Sequence, residues 1–151
     1  MSLIGKLLHF FMERSAAKSS LDDLQTRLQL ATAALASRME NGADTPANRK
    51  RASHVIGIER WSQRRLRSLL GEPLVMDEYD GYRPSLDQPL KVLGGEFTAA
   101  RLQTLALIQD LRKAGSVEGK TVPHNAMGDL SVLGWLYYIN AHAARESQGI
   151  K

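Results

Sequence analysis

Ser53-His54-Val55-Ile56-Gly57-Ile58-Glu59-Arg60-Trp61 sets a titratable ring inside an apolar run. On a helical wheel turning about 100° per residue, Val55, Ile58, Trp61, Leu66 and Leu69 share one broad face, and His54 lies within it. Arg49, Arg60, Arg64 and Arg67 gather on the opposite side. This spacing predicts a helix from about Asn48 to Leu70, stopped by Gly71 with Pro73 just beyond. A second stretch has the same character. Trp135-Leu136-Tyr137-Tyr138-Ile139-Asn140-Ala141-His142 carries a histidine on an apolar stripe, and Glu146 follows one turn later on the same face. A ring nitrogen and a carboxylate aimed into a helical core are costly there unless something binds them, and a metal ion is the simplest such partner.

The rest of the chain reads as further helices separated by loops. Leu3 to Met12 is predicted as a short amphipathic helix. Ser20-Leu21-Asp22-Asp23 has capping-box spacing and opens a long helix with Leu21, Leu24, Leu28, Ala31, Leu35 and Met39 on one stripe. Asn41 to Pro46 ends it, and Glu72 to Gln88 is an acidic loop broken by Pro73, Gly81 and Pro84. A third long helix starts near Pro89, with Phe97, Leu105, Ile108 and Leu111 inward and Gly115 as its stop. Ser131 caps the last helix, which turns Val132, Trp135, Leu136 and Ile139 inward. No strand alternation and no internal repeat is visible. Four long amphipathic helices in a small domain argue for an all-α, antiparallel four-helix bundle with a short extra N-terminal helix. The expected organisation is one domain over 1–151, with 1–19 as an N-terminal extension and 20–148 as the bundle.

Composition sets outer bounds. The chain has 151 residues, enough for one domain that buries roughly 70% of its unfolded surface. With no cysteine there is no disulfide scaffold, thiolate zinc site or cysteine nucleophile, which fits a reducing, cytoplasmic setting. The Leu7-Leu8-His9-Phe10-Phe11-Met12 run is too short for a signal peptide, and no stretch approaches a membrane-spanning helix. The formal charge of +4 is a mild excess, compatible with anionic ligands. The arginine face of the second helix reads better as solvated surface than as a nucleic-acid interface, because no stacking platform or recognisable helix-turn-helix accompanies it. No nucleic acid and no membrane is therefore expected as a partner.

For His54 or His142 alone, an ordinary core histidine bonded to a backbone carbonyl is the simpler reading. The pairing of His142 with Glu146 changes the balance, because side chains at i and i+4 can share an ion. The competing reading is a helix that frays before Glu146 and leaves it in water. Arg101 projects into a stripe flanked by Phe97, Leu105 and Ile108 and needs a carboxylate partner or a cavity. A structural ion pair is the simpler expectation and a substrate-anion contact the alternative; Arg65, at the edge of the His54 face, invites the same two readings. His124 in Val122-Pro123-His124-Asn125 reads as a loop residue, with a place at the mouth of a site as the lesser alternative, and His9 carries no signal beyond its helix.

His54 in His-Val-Ile-Gly-Ile-Glu-Arg-Trp, Phe97-Thr98-Ala99-Ala100-Arg101, and Gly128-Asp129-Leu130-Ser131 leading to Trp135 and His142 together form a pattern. From about Leu21 to Gln148 it resembles the DinB-like damage-inducible superfamily, which includes bacterial thiol-dependent transferases. The resemblance implies a four-helix bundle that often dimerises and holds a divalent metal on three histidines, one from the second helix and two from the last, spaced His-x-x-x-His. His54 and His142 match the first two positions, whereas Glu146 stands where the third histidine belongs. Zinc accepts two histidines and a glutamate, so the expected ligands are His54, His142 and Glu146, with zinc or nickel as the metal and an open position for water or substrate. The implied activity is a metal-dependent reaction on a small molecule, thiol transfer first and hydrolysis second, with a low-molecular-weight thiol as cosubstrate and a homodimer as the assembly. The alternative is a non-catalytic ligand-binding module or structural helical dimer with a degenerate metal site.

Overall fold

Local signals set the helix ends. In the computed structural model, which describes residues 1–151, α1 spans Leu3–Ala16, α2 Leu21–Asn41, α3 Pro46–Leu66, α4 Leu90–Lys113 and α5 Val132–Ser147. Ser20 and Asp23 form the expected capping box, Asp23 N–H donating to Ser20 Oγ and Ser20 N–H to Asp23 Oδ2. Thr45 caps α3 with Pro46 in its first turn, and Ser131 Oγ accepts from Gly134 N–H at the start of α5. α3 is shorter than its periodicity predicts: after Leu66 it tightens into a 3₁₀ turn over Arg67–Leu70, closed by Gly71 at φ +95°. The acidic loop likewise contains a 3₁₀ turn, Tyr79–Tyr82. Pro89 sits at the cap position of α4, and Leu90 N–H donates to Asp44 Oδ1 instead.

α2 and α3 each pack against both α4 and α5, while α1 lies across α5. Gly94 lets α4 approach α2, since a Cβ there would meet the Glu40 side chain and come within 3.2 Å of Glu40 N. The apolar core has two parts. One centres on Trp61, Trp135, Leu107 and Leu136, the other on Met39, Val55, Leu93 and Phe97. Between them lies a buried polar layer. Arg101 Nε and Nη2 donate to the two carboxylate oxygens of Glu59 at 2.8 and 3.1 Å, and Arg101 Nη1 donates to Leu28 O and Asn140 Oδ1. Thr104 Oγ1 donates to Glu59 at 2.7 Å and accepts from Gln63 Nε2.

The molecule is mostly helical, but the expectation of helices alone needs one correction. Thr121–His124 (β1) and Gly128–Ser131 (β2) form an antiparallel hairpin with Val122 opposite Leu130 and His124 opposite Gly128. Four residues per strand are too few to show a period of two, and Pro123 inside β1 argues against a strand in sequence. Gly128 turns with φ +72°. α1 anchors the hairpin: Glu13 accepts from Ser131 N–H and Oγ, both at 2.8 Å, and His9 Nδ1 lies 2.9 Å from Met127 O. No helix is long and apolar enough to cross a membrane.

Candidate metal centre

α3 and α5 pack directly, and that contact brings the two histidines together. His54 Nε2 and His142 Nε2 stand 3.0 Å apart. Glu146, one turn beyond His142 within an unbroken α5, completes a cluster whose potential ligand atoms all lie within 4.8 Å of one another. This cluster could hold a metal ion. Two nitrogens bound at about 2.0–2.1 Å to a tetrahedral zinc lie roughly 3.3 Å apart, so the histidine pair needs to open only slightly. Burial pushes the His142 pKa down to about 4, helped by the neighbouring His54, with Glu146 opposing; burial also lowers that of His54. Both rings are therefore neutral near pH 7, the form that ligates a metal. Burial raises the Glu146 carboxyl, but the Arg145 hydrogen bond and nearby positive charge outweigh it, so Glu146 titrates below its ordinary value. One feature weakens the set: His142 Nδ1 is buried without a hydrogen-bond partner, whereas a ligating histidine usually donates from its second nitrogen.

A cavity of about 440 Å³ opens beside the pair. α3 supplies His54, Ile58 and Trp61; α5 supplies Tyr138, Ala141 and His142; α1 closes one side with Leu8 and Met12; the hairpin turn adds His124 to Met127. The walls are mainly apolar. Tyr79, from the 3₁₀ turn, packs edge-on to His54 at 4.9 Å between ring centres, and Tyr138 lies 5.7 Å from His142. Burial raises the Tyr138 pKa, so its hydroxyl stays protonated.

His124 is a wall residue, the lesser of its two sequence readings. Its ring is packed among Trp61, Trp135 and Tyr138 at 5.0–5.2 Å, and Nδ1 accepts from the backbone N–H groups of Ala126 and Met127. That acceptor role leaves the proton on Nε2, which is buried without a partner. Burial, then the charge of Arg65, lowers the His124 pKa to about 4.

Arg101 and Arg65 do not line the cavity, so the substrate-anion alternative does not describe them. Arg101 is fully buried and held by Glu59, the ion pair that was the simpler expectation. Arg65 is fully buried over the Trp61 ring and donates to Pro123 O, Asp77 O and Asn125 Oδ1. It binds the hairpin and the acidic loop to α3 and so positions the cavity wall. The arginines expected on the outer face of α3 are paired with acids: Arg49 with Asp44, Arg60 with Glu96, and Arg64 and Arg67 with Glu72.

Sequence reading missed Tyr138, Tyr79 and Arg145 at the site. Tyr138 was findable, four residues before His142 on one helix face. Tyr79 was not, because loop geometry brings it in. Comparison with protein-family models, with curated proteins and with solved structures finds no match to this chain.

Proposed function

We propose that this chain is a DinB-like bundle, α2 to α5 forming the antiparallel four-helix unit and α1 the added helix, whose site works on a small molecule with a divalent metal held by His54, His142 and Glu146. The observation that carries the reading is the pair of imidazole nitrogens 3.0 Å apart with a carboxylate in the same cluster, the two rings lining a cavity of about 440 Å³. Zinc or nickel suits two imidazoles and a carboxylate in a chain without thiolates. Such an ion would supply Lewis acidity, lowering the pKa of a coordinated thiol or water. The chain's own residues hold the reactants. Tyr79 packs edge-on to the His54 ring and Tyr138 lies tilted beside that of His142, Trp61 and Ile58 present an apolar wall, and Leu8 and Met12 on α1 limit water entry.

Thiol transfer is the first activity and hydrolysis the second. A ligand-holding module without turnover is the other reading, favoured by one observation: a single carboxylate lines this cavity, Glu78, and Asn125 Nδ2 holds it to the wall at 2.7 Å. Elemental analysis of protein purified without chelator or affinity-tag metal tests the metal. About one ion per chain is expected, and zinc at a hundredfold excess over its Kd should raise Tm by roughly 5–10 °C. His142→Ala should abolish both effects. If no metal co-purifies and added zinc leaves Tm unchanged, the reading fails. Turnover against panels of thiols with electrophiles, and of hydrolysable esters, then separates transfer, hydrolysis and simple binding.

A further inference from the structure

His54 and Tyr79 also line a second hollow, of about 390 Å³, with a different chemistry. Ala47, Lys50, Arg51 and His54 follow i, i+3, i+4, i+7 spacing on α3, so one helix stripe carries two cations up to the imidazole. The small Ala47 side chain leaves room above them. Arg83 enters the same hollow from the loop after the 3₁₀ turn. It is held by Nε to Ser53 Oγ and Nη2 to Lys50 O, both at 3.3 Å, and pairs with Asp80 at 3.2 Å. Gly57 makes this seat, because a Cβ there would collide with the Arg83 side chain.

The charges in the hollow are unbalanced. Lys50, Arg51 and Arg83 face a single lining carboxylate, Glu146. Asp80 offsets Arg83, Lys50 enters no ion pair, and the closest approach of Arg51 to Glu146 is 3.9 Å, beyond hydrogen-bond reach. An ion bound at the cluster would engage Glu146 and leave Arg51 without it. The larger cavity, by contrast, is walled largely by apolar side chains such as Ile58, Trp61 and Met127.

We infer that the basic hollow binds the carboxylate or phosphate of a small anionic substrate and presents that molecule to the His54–His142–Glu146 cluster through His54 and Glu146, which line it, separately from the apolar cavity. The site thus has two parts, one reactant being anchored by charge and the other by apolar contact. The presentation step rests on the metal reading, whereas anion binding itself does not.

Calorimetric titration with inorganic phosphate, and separately with succinate, tests this on chelator-treated and on zinc-loaded protein. One saturable site per chain is expected, tightened by zinc, and the stronger anion identifies the headgroup class. Lys50 and Arg51 are exposed, so the K50A/R51A double variant keeps its fold, checked by an unchanged Tm. It should weaken binding about tenfold or more, whereas Lys91→Ala on α4, which removes one charge elsewhere, should leave it unchanged. If neither anion binds either form of the protein, or if K50A/R51A binds like the unmodified chain, the inference is overturned. Anion binding without zinc binding would sink the metal reading alone, and zinc binding without anion binding would sink the hollow alone.

Discussion

Replacing Arg101 by Met tests whether the buried polar layer holds the site in register. Arg101 and Glu59 are 0% and 1% exposed, so the carboxylate depends on protein partners rather than on water. Arg101→Met leaves Glu59 with one hydrogen bond, from Thr104 Oγ1 at 2.7 Å. Removing one partner of a buried, hydrogen-bonded pair costs about 3–5 kcal/mol. Against a total stability of roughly 5–15 kcal/mol, that is a large share, equivalent to a Tm loss of about 6–20 °C. The double variant E59L/R101M removes both charges. Leu28 O keeps Thr32 Oγ1 as a donor at 2.8 Å, and Thr104 can turn to Ala100 O, so few polar groups are stranded. The double variant should therefore cost no more than about 2 kcal/mol, less than either single change. The layer also touches the site. Asn140, bonded to Arg101 Nη1 at 3.2 Å, precedes His142 by two residues on α5, and Glu59 follows His54 on α3. Arg101→Met should accordingly lower zinc affinity as well as stability. Urea unfolding followed by tryptophan fluorescence gives the free energies of the unmodified chain, of Arg101→Met, of Glu59→Leu and of the double variant, and zinc calorimetry gives the affinity. Single-variant losses below about 1 kcal/mol, or strict additivity in the double variant, would refute the reasoning.

Three further outcomes follow from the same geometry. Glu146→His should preserve or raise zinc affinity and lower the kinetic pKa of any activity, since a neutral ligand donates less charge than a carboxylate; an unchanged or raised kinetic pKa counts against Glu146 as a ligand. His124 and His142, at about 4 in the folded state against 6.5 ordinarily, take up protons first in the unfolded chain, so stability is full above pH 6.5 and falls between pH 6.5 and about 4. Each contributes roughly 3 kcal/mol at most, and urea midpoints that match at pH 7 and pH 4.5 would contradict it. A second copy of the chain is the proposed partner for the exposed apolar residues of α1, including Leu3, Ile4, Leu7, Phe10 and Phe11. Sedimentation should show a dimer that F10S/F11S converts to a monomer, and an unmodified chain that sediments as a monomer at all concentrations would exclude it.

The helices were legible in the sequence because helix formation is a local matter. Periodic apolar residues, the Ser20–Asp23 box, the Ser131 cap and the Gly71 stop act within a few residues of one another, whereas the start of α3, expected near Asn48, lies at Thr45–Pro46. The ligand candidates were legible for a related reason: His142 and Glu146 share a helix face at i and i+4, and His54 sits on a stripe that must turn inward. Partner choice was not local. The apolar stripe around Arg101 demanded a partner, but Glu59 was selected by α3 packing against α4, 42 residues away in the chain. Arg65 shows the same limit, its acceptors coming from a loop and a hairpin turn up to 60 residues distant. The hairpin itself was hidden, since two four-residue strands are too short to show alternation, Pro123 stands inside one of them, and the contacts of Glu13 and His9 with the hairpin come from α1, more than 100 residues away. Sequence thus determined which side chains had to leave water. Only the tertiary structure decided what each one met, because desolvation is written along a helix face whereas contact geometry depends on how separate elements dock.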